Sequence, residues 1–204
     1  MLACLDLEGV LLPEIWIKFA EKTGIEELKL TTRDIPDYDQ LMKNRLEILK
    51  QNNLKLKDIQ NVINTLSPLD GSYEFLSWLK SEFQVIILSD TFYEFAQPLM
   101  QQLDFPTLFC HKLITNPSGD IVNYKLRQKD QKTKAVKALQ GLNFQVISAG
   151  DSYNDVGMLQ QADAGILFNP PTSVIDEFPQ FPIAKDYKDF KITFEKTKQK
   201  LESL

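Results

Sequence analysis

The sequence is poor in the residues that build thiolate metal centres and histidine-based catalytic sites. Its 204 residues include two cysteines and one histidine. One histidine excludes multi-histidine metal sites, and Cys4 and Cys110 show none of the paired spacings of zinc or redox motifs. Both lie in apolar runs, so we expect buried strand thiols. His111 follows Cys110 on a predicted strand, where neighbouring side chains point to opposite faces, and we do not expect it to be catalytic.

The chain also lacks an excess of basic charge. Its 23 Lys and Arg residues stand against 28 Asp and Glu residues, which gives a net charge of −5 at pH 7. An acidic surface repels polyphosphate backbones and anionic lipids, so we expect no nucleic acid and no membrane as partners. The amino-terminal segment has no basic region and is too short for a membrane span. We therefore expect a soluble, cytoplasmic protein whose partner is a small molecule.

Short apolar runs alternate with segments of helical spacing along most of the chain. A turn at residues 116–120 leads into a further strand, and the tail from residue 187 has the pattern of an amphipathic helix. Such alternation predicts an α/β fold with a doubly wound, mostly parallel sheet. The apolar runs typical of buried parallel strands cover residues 2–7, 84–88, 107–113, 145–150 and 164–168.

One stretch, residues 13–66, interrupts this alternation. It carries three segments of helical periodicity, at residues 15–22, 39–50 and 57–66, and no convincing strand. We therefore expect a small helical cap at residues 13–66, inserted after the first strand. The α/β core is then formed by residues 1–12 and 67–204.

Acidic and hydroxyl side chains directly follow three of the predicted strands. Because the carboxyl ends of parallel strands meet at one edge of a sheet, we expect these side chains to converge. Converging carboxylates repel one another unless a cation joins them, and Mg²⁺ suits carboxylates combined with a phosphate oxygen. The pattern therefore predicts Mg²⁺-dependent phosphoryl transfer. The side chains concerned are Asp6, Glu8, Ser89, Asp90, Asp151 and Asp155.

Each residue type at this edge has a role in such a reaction. We expect Asp6 to be the nucleophile, and Glu8 to protonate the leaving alcohol and then to activate water. Asp6, Glu8 and Asp151 are the candidate metal ligands, with Asp155 supporting them from behind.

The transferring oxygens need a hydroxyl donor and a cation. Ser89 is the expected hydroxyl donor, and Lys132 is the expected cation because it begins the helix that precedes the Asp151 strand. Several lysines cluster here, and Lys129 is the alternative.

The order of these residues resembles that of the haloacid dehalogenase-like (HAD) phosphatases. The matching motifs are Asp6-x-Glu8-Gly9-Val10, a serine after a buried strand, a lysine, and Gly150-Asp151-x-x-x-Asp155. Glu8 departs from the commonest pattern, in which Asp stands at this position. The similarity covers nearly the whole chain. It is greatest to the phosphoserine phosphatase branch, and within that to the bacterial bifunctional phosphoserine phosphatase and homoserine phosphotransferase, through runs such as PEIWIKFAEKTGI, TTRDIPDY, LSDTFYEF and AGDSYND.

This resemblance implies a Rossmann-like HAD core with a helical cap, obligate Mg²⁺ and an aspartyl-phosphate mechanism. It implies hydrolysis of L-phosphoserine and transfer of its phosphoryl group to homoserine, and by analogy alone it suggests a homodimer. The alternatives are another small phosphomonoester as substrate, or a phospho-receiver signalling domain. A receiver carries its acidic pair on the first strand and has no helical insertion, which disfavours that alternative.

The resemblance also carries two recognition residues to this chain. Glu14 matches the residue that binds the substrate ammonium group, and Arg45 matches the one that binds its carboxylate, and their charges fit those partners. Asn154 follows the metal-binding aspartate and is expected to hydrogen-bond the substrate. The expected substrate contacts are Glu14, Arg45, Ser89, Asp90, Lys132 and Asn154.

Overall fold

A computed structural model describes residues 1–31, 34–35 and 37–203 of the chain. Thr32, Arg33 and Pro36, which belong to the TTRDIPDY run, and Leu204 lie outside the described residues. The strands of the described chain are β1 (Leu2–Leu5), β2 (Gln84–Phe92), β3 (Thr107–Thr115), β4 (Ile121–Lys125), β5 (Val146–Gly150), β6 (Ala164–Phe168) and β7 (Ile183–Ala184).

These strands form one sheet in the order β4-β3-β2-β1-β5-β6-β7. All neighbouring pairs are parallel except β3 and β4, which form an antiparallel hairpin at one edge. The central strand β1 is buried along its whole length, as its uninterrupted apolar sequence requires between two layers of helices. The predicted doubly wound α/β fold is confirmed.

Helices connect the strands and cover the sheet. No helix within the described ranges combines the length and apolar character needed to cross a membrane. The helices are α1 (Ile15–Thr23), α2 (Tyr38–Gln51), α3 (Leu56–Ile63), α4 (Ser72–Glu82), α5 (Tyr93–Gln102), α6 (Gln131–Gly141), α7 (Val156–Gln161), α8 (Thr172–Glu177) and α9 (Tyr187–Glu202).

Helices α1, α2 and α3 lie in the predicted insertion, and the described part of residues 13–66 contains no β-strand. Their apolar faces bury Phe19, Met42 and Ile59, and these side chains join the main core cluster. The inserted helices are also fastened to the β3–β4 hairpin, where the Leu56 amide donates to the Gly119 carbonyl at 3.1 Å. The insertion therefore covers the carboxyl edge of the sheet from one side.

Strand β2 is irregular where it reaches this edge. Leu88 pairs with Phe109 and Phe92 pairs with His111, so three residues of β2 stand opposite one residue of β3. Such a bulge re-aims side chains and is frequent beside active sites. The structure thereby corrects the prediction that the strand ends at Leu88: it continues to Phe92, and the bulge presents Ser89 to the edge.

Candidate active site

A cavity of about 400 Å³ opens at the carboxyl edge of the sheet, beneath the inserted helices. Its walls combine the ends of β1, β2 and β5 with residues of α1 and α2 and the segments that precede them. The structure brings most of the predicted site residues to this one space. Those that line it are Asp6, Glu8, Glu14, Arg45, Ser89, Asp90, Asp151 and Asn154.

Asp6 lies just beyond the end of β1 and is 4% exposed. Its Oδ1 atom accepts a hydrogen bond from the Leu7 amide at 2.8 Å and lies 2.9 Å from Lys132 Nζ. Burial and the nearby Asp155 carboxylate raise the pKa of Asp6 well above its ordinary value, and the attraction of Lys132 only partly opposes this. A further cation at this edge would favour the ionised form that a nucleophile needs.

Lys132 projects from the first turn of α6 into the acidic group. Its Nζ atom lies 2.7 Å from Asp155 Oδ1 and 3.6 Å from Asp90 Oδ2, in addition to its contact with Asp6. Burial lowers the pKa of this lysine, but the surrounding carboxylates outweigh burial and raise the pKa well above its ordinary value. The structure brings Lys132 to the site and leaves Lys129 exposed in the preceding loop.

Asp155 is fully buried and orients the loop after β5. Its Oδ2 atom accepts hydrogen bonds from the backbone amides of Asp151 and Ser152, at 3.0 and 3.1 Å. Its Oδ1 atom accepts from Lys132. With both oxygens engaged, Asp155 fixes the position of Asp151 from behind.

Carboxylate oxygens of Asp6, Asp151 and Asp155 lie within 4.8 Å of one another. An all-oxygen, acidic set of this kind fits a hard divalent cation such as Mg²⁺. Gly9 leaves room for the Asp151 carboxylate: its φ is +79°, and a Cβ atom there would lie 2.6 Å from Asp151 Oδ2. Since Asp155 is already engaged, Asp6 and Asp151 are the carboxylates that fit as ligands.

The Glu8 carboxylate is turned away from this group. Its Oε2 atom accepts a hydrogen bond from the Ile15 amide at 3.0 Å, and its side chain is also hydrogen-bonded to Glu14. The acidic group found among the described residues does not include it. Metal ligation by the Glu8 side chain stays a prediction, and in this structure the start of α1 holds the Glu8 carboxylate towards the cap.

Glu14 precedes α1 and is exposed to the cavity. Enclosure by the surrounding protein and the proximity of Glu8 raise the pKa of Glu14 to about 7. A hydrogen bond between two carboxyl groups requires a proton on one of them. The pair can therefore store the proton that a leaving alcohol would take from Glu8.

Arg45 is 7% exposed and belongs to α2, within the cap. Its guanidinium group stacks 4.6 Å from the Trp16 ring centroid, and its Nη2 atom donates to the Leu30 carbonyl at 2.8 Å. The buried Nε atom has no hydrogen-bond partner among the described residues. Burial lowers the pKa of Arg45 to about 10, so the group stays cationic at neutral pH. An anion entering the cavity would supply the missing acceptor.

The bulge of β2 carries Ser89 and Asp90. Ser89 is buried, and its Oγ atom accepts from the Thr91 amide at 3.2 Å. Asp90 Oδ2 accepts from Asn154 Nδ2 at 3.2 Å. Burial alone would raise the pKa of Asp90, but Lys132 and the hydrogen bonds to its carboxylate outweigh burial and hold the pKa below its ordinary value.

Sequence reasoning missed three residues that contact the Ser89–Asp90 bulge. Gln131 Nε2 donates to the Ser89 carbonyl at 2.6 Å, Tyr38 Oη donates to the Asp90 carbonyl at 3.2 Å, and His111 Nε2 lies 3.5 Å from Asp90 Oδ1. Tyr38 ends the TTRDIPDY run, but no motif assigns a role to any of the three positions. The pairing of β3 with the irregular part of β2 would have been needed to find His111.

Comparisons with known proteins show the family of the chain. A family model described as haloacid dehalogenase-like hydrolase matches residues 2–163. A protein from Pseudomonas aeruginosa named phosphoserine phosphatase ThrH is 63% identical over 203 residues, which cover 100% of this chain and 99% of the relative. A protein from Pseudomonas syringae pv. tomato named phosphoserine phosphatase is 63% identical over 193 residues, covering 95% and 81%.

Solved structures share the fold at much lower sequence identity. A phospho-aspartyl intermediate analogue of phosphoserine phosphatase superposes with a TM-score of 0.75 at 19% identity, covering 94% of this chain and 97% of that one. A substrate-bound phosphoserine phosphatase complex gives a TM-score of 0.72 at 20% identity, covering 90% and 92%.

Proposed function

Because the chain belongs to the haloacid dehalogenase-like hydrolases, we propose that it hydrolyses L-phosphoserine through an aspartyl-phosphate intermediate on Asp6. One observation carries the proposal: Asp6, which is paired with Lys132, lines the same cavity as Glu14 and the buried, incompletely paired Arg45. A phosphoryl group, an ammonium group and a carboxylate can thus be bound together. The names of the two relatives at 63% identity support the same substrate.

In the first step, a carboxylate oxygen of Asp6 forms a bond to phosphorus while the bond from phosphorus to the serine oxygen breaks. Glu8 donates a proton to that oxygen, so serine leaves as a neutral alcohol. Ser89 and Lys132 hold the phosphoryl oxygens in line with Asp6. Bound at Asp6 and Asp151, Mg²⁺ would neutralise charge on the phosphoryl oxygens.

In the second step, the ionised Glu8 removes a proton from water, and the water oxygen attacks phosphorus. The bond between phosphorus and Asp6 breaks, which releases inorganic phosphate and restores the Asp6 carboxylate. Glu8 ends the cycle protonated and ready for the next substrate.

Homoserine can replace water in the second step. It has the ammonium and carboxylate groups of serine with one more methylene, so Glu14 and Arg45 can hold it with its hydroxyl near the aspartyl phosphate. Glu8 then removes the hydroxyl proton, and the product is phosphohomoserine. We propose this transfer as a second activity of the same site.

Phosphorus NMR of the purified protein with Mg²⁺ and phosphoserine, with and without homoserine, tests both activities. We expect inorganic phosphate in the first sample, and phosphohomoserine formed at its expense in the second. Phosphate as the sole product at saturating homoserine would refute the transferase activity alone. A panel of phosphosugars and nucleotides tests the choice of substrate. If one of them is turned over faster than phosphoserine, another phosphomonoester is the favoured substrate.

The matched control is Asp6→Asn, which keeps the shape of the side chain but cannot form an acyl phosphate. We expect loss of both products with an unchanged fold, as followed by circular dichroism. Substantial turnover by a sample that mass spectrometry shows to be undeamidated would remove Asp6 from the role of nucleophile.

A further inference from the structure

The bulged segment of β2 is braced from outside the cavity by side chains of β3 and α6. Gln131 Nε2 reaches Asp90 Oδ1 at 3.1 Å, and the Gln131 amide is itself oriented by Arg127, whose Nη2 atom donates to Gln131 Oε1 at 2.8 Å. His111 approaches the same Asp90 oxygen from β3. Asp90 is thus held by donors on one side while its second oxygen faces Asn154 and Lys132.

The hydrogen-bond partners of His111 define which of its nitrogens carries the proton. The Arg127 amide donates to Nδ1 at 3.1 Å, so Nδ1 is an acceptor. The proton of the neutral ring is then on Nε2, which is the atom that faces Asp90. His111 is 3% exposed, with the rings of Tyr38 and Phe92 packed beside it, so the imidazole has little freedom to turn.

We propose that His111, the one histidine of the chain, is a positioning residue: through Nε2 it holds the Asp90 carboxylate in the orientation that directs Asn154 towards the substrate. The expected effect on the KM rests on the proposed function. The orientation of His111 towards Asp90 does not depend on it. It also accounts for a buried imidazole that takes no part in the reaction steps above.

Two substitutions separate this role from simple packing. His111→Asn places an amide oxygen near the position of Nδ1, which keeps the acceptor for Arg127 but removes the donor to Asp90. His111→Gln places an amide nitrogen near the position of Nε2, which keeps the donor to Asp90. A packing role gives no reason for the second variant to be the more active of the two.

We expect the KM for phosphoserine to rise about tenfold in His111→Asn with little change in kcat, because a substrate contact is misaligned. In His111→Gln we expect a KM close to that of the wild type. Combined with Asp90→Ala, His111→Asn should add no further loss, since it acts through Asp90. Wild-type kinetics for His111→Asn, or losses that multiply in the double variant, would overturn the proposal.

Nitrogen NMR of the ¹⁵N-histidine-labelled wild-type protein gives a readout that needs no activity, because the chain has one histidine. We expect a proton on Nε2 and none on Nδ1; a proton on Nδ1 would overturn the proposal even if the variants failed to fold. Failure of the wild type to hydrolyse phosphoserine would refute the proposed function, and the NMR result would still decide the orientation of His111.

Discussion

Lys132 contacts more carboxylates than one positive charge can neutralise. Its ammonium group lies within 4 Å of carboxylate oxygens of Asp6, Asp90 and Asp155, and it is almost fully buried. One positive charge among three negative ones leaves the group net negative, which is unfavourable in a poorly solvated place. This excess of negative charge supports the proposal that a divalent cation binds at this edge.

Arg45 should discriminate between substrates by their carboxylate. We expect Arg45→Ala to weaken phosphoserine binding by about 2–4 kcal/mol, because a buried charged hydrogen bond is lost. Phosphoethanolamine lacks the carboxylate, so its KM should barely change. Steady-state kinetics with both substrates measure this, and equal losses would assign Arg45 a structural role instead.

Glu14 should make substrate binding depend on pH. Its pKa is raised to about 7, so the carboxylate is mostly neutral below that pH and ionised above it. Since only the ionised form attracts an ammonium group, the KM for phosphoserine should rise as the pH falls from 8 to 6.

Glu14→Gln is the control, because the phosphate group of the substrate also titrates near pH 6. This variant should have a raised KM at pH 8 and a weaker dependence on pH. An identical pH profile in the variant would show that the phosphate, and not Glu14, causes the dependence.

The sequence predicts the residues that chemistry alone singles out. Asp6, Ser89 and Asp151 were predicted at the sheet edge from their types and their positions directly after apolar runs, and the structure places them around one cavity. Lys132 was chosen because it begins a predicted helix, and sequence reasoning left Lys129 as the alternative. The orientation of Glu8 could not be found, since it depends on where the Ile15 amide lies in the folded chain.

At the scale of elements, the long and periodic segments were the predictable ones. Helix α2, predicted at residues 39–50, spans Tyr38–Gln51, and the strand predicted after the turn at residues 116–120 is β4, which pairs antiparallel with β3. Helix α8 and strand β7 were missed, because six and two residues are too short to show a period. Both owe their conformation to packing on β6 and its neighbours.

Helix α9 contributes to stability through an aromatic cluster. Phe190 stacks on Phe75 and on Phe168, with ring centroids 4.5 Å apart in both pairs, and it is fully buried. Phe190→Ala should lower the free energy of unfolding by about 3–5 kcal/mol. Urea denaturation measures this, while kcat at 25 °C should change little because α9 supplies no residue to the cavity.

Ile192 on the same helix is the matched control, since it is 38% exposed. Ile192→Ala should cost less than about 1 kcal/mol. Comparable losses in the two variants would show that packing in the aromatic cluster is not what makes Phe190 stabilising.

For the whole molecule, we expect the acidic group to make stability depend on Mg²⁺. A ligand that binds only the folded state stabilises it by about 2.7 kcal/mol at a concentration one hundred times its Kd. Saturating Mg²⁺ should therefore raise the thermal midpoint by several degrees. Differential scanning calorimetry measures this in the absence of any substrate.

Asp151→Asn should abolish most of that Mg²⁺-dependent shift and raise the Mg²⁺ concentration needed for turnover. It should also raise the midpoint of the metal-free protein, because a repelling charge is removed. A shift with Mg²⁺ equal to that of the wild type would place the cation elsewhere.

The burial of Arg45 within the cap also bears on the cell's phosphoproteins. A phosphoserine residue within a polypeptide has peptide bonds in place of its ammonium and carboxylate groups. It would therefore offer no anion to Arg45, which is 7% exposed, and the continuing chain would have to pass through the wall of a cavity of about 400 Å³. An enzyme with this site can hydrolyse free phosphoserine without dephosphorylating the phosphoserine residues of signalling proteins.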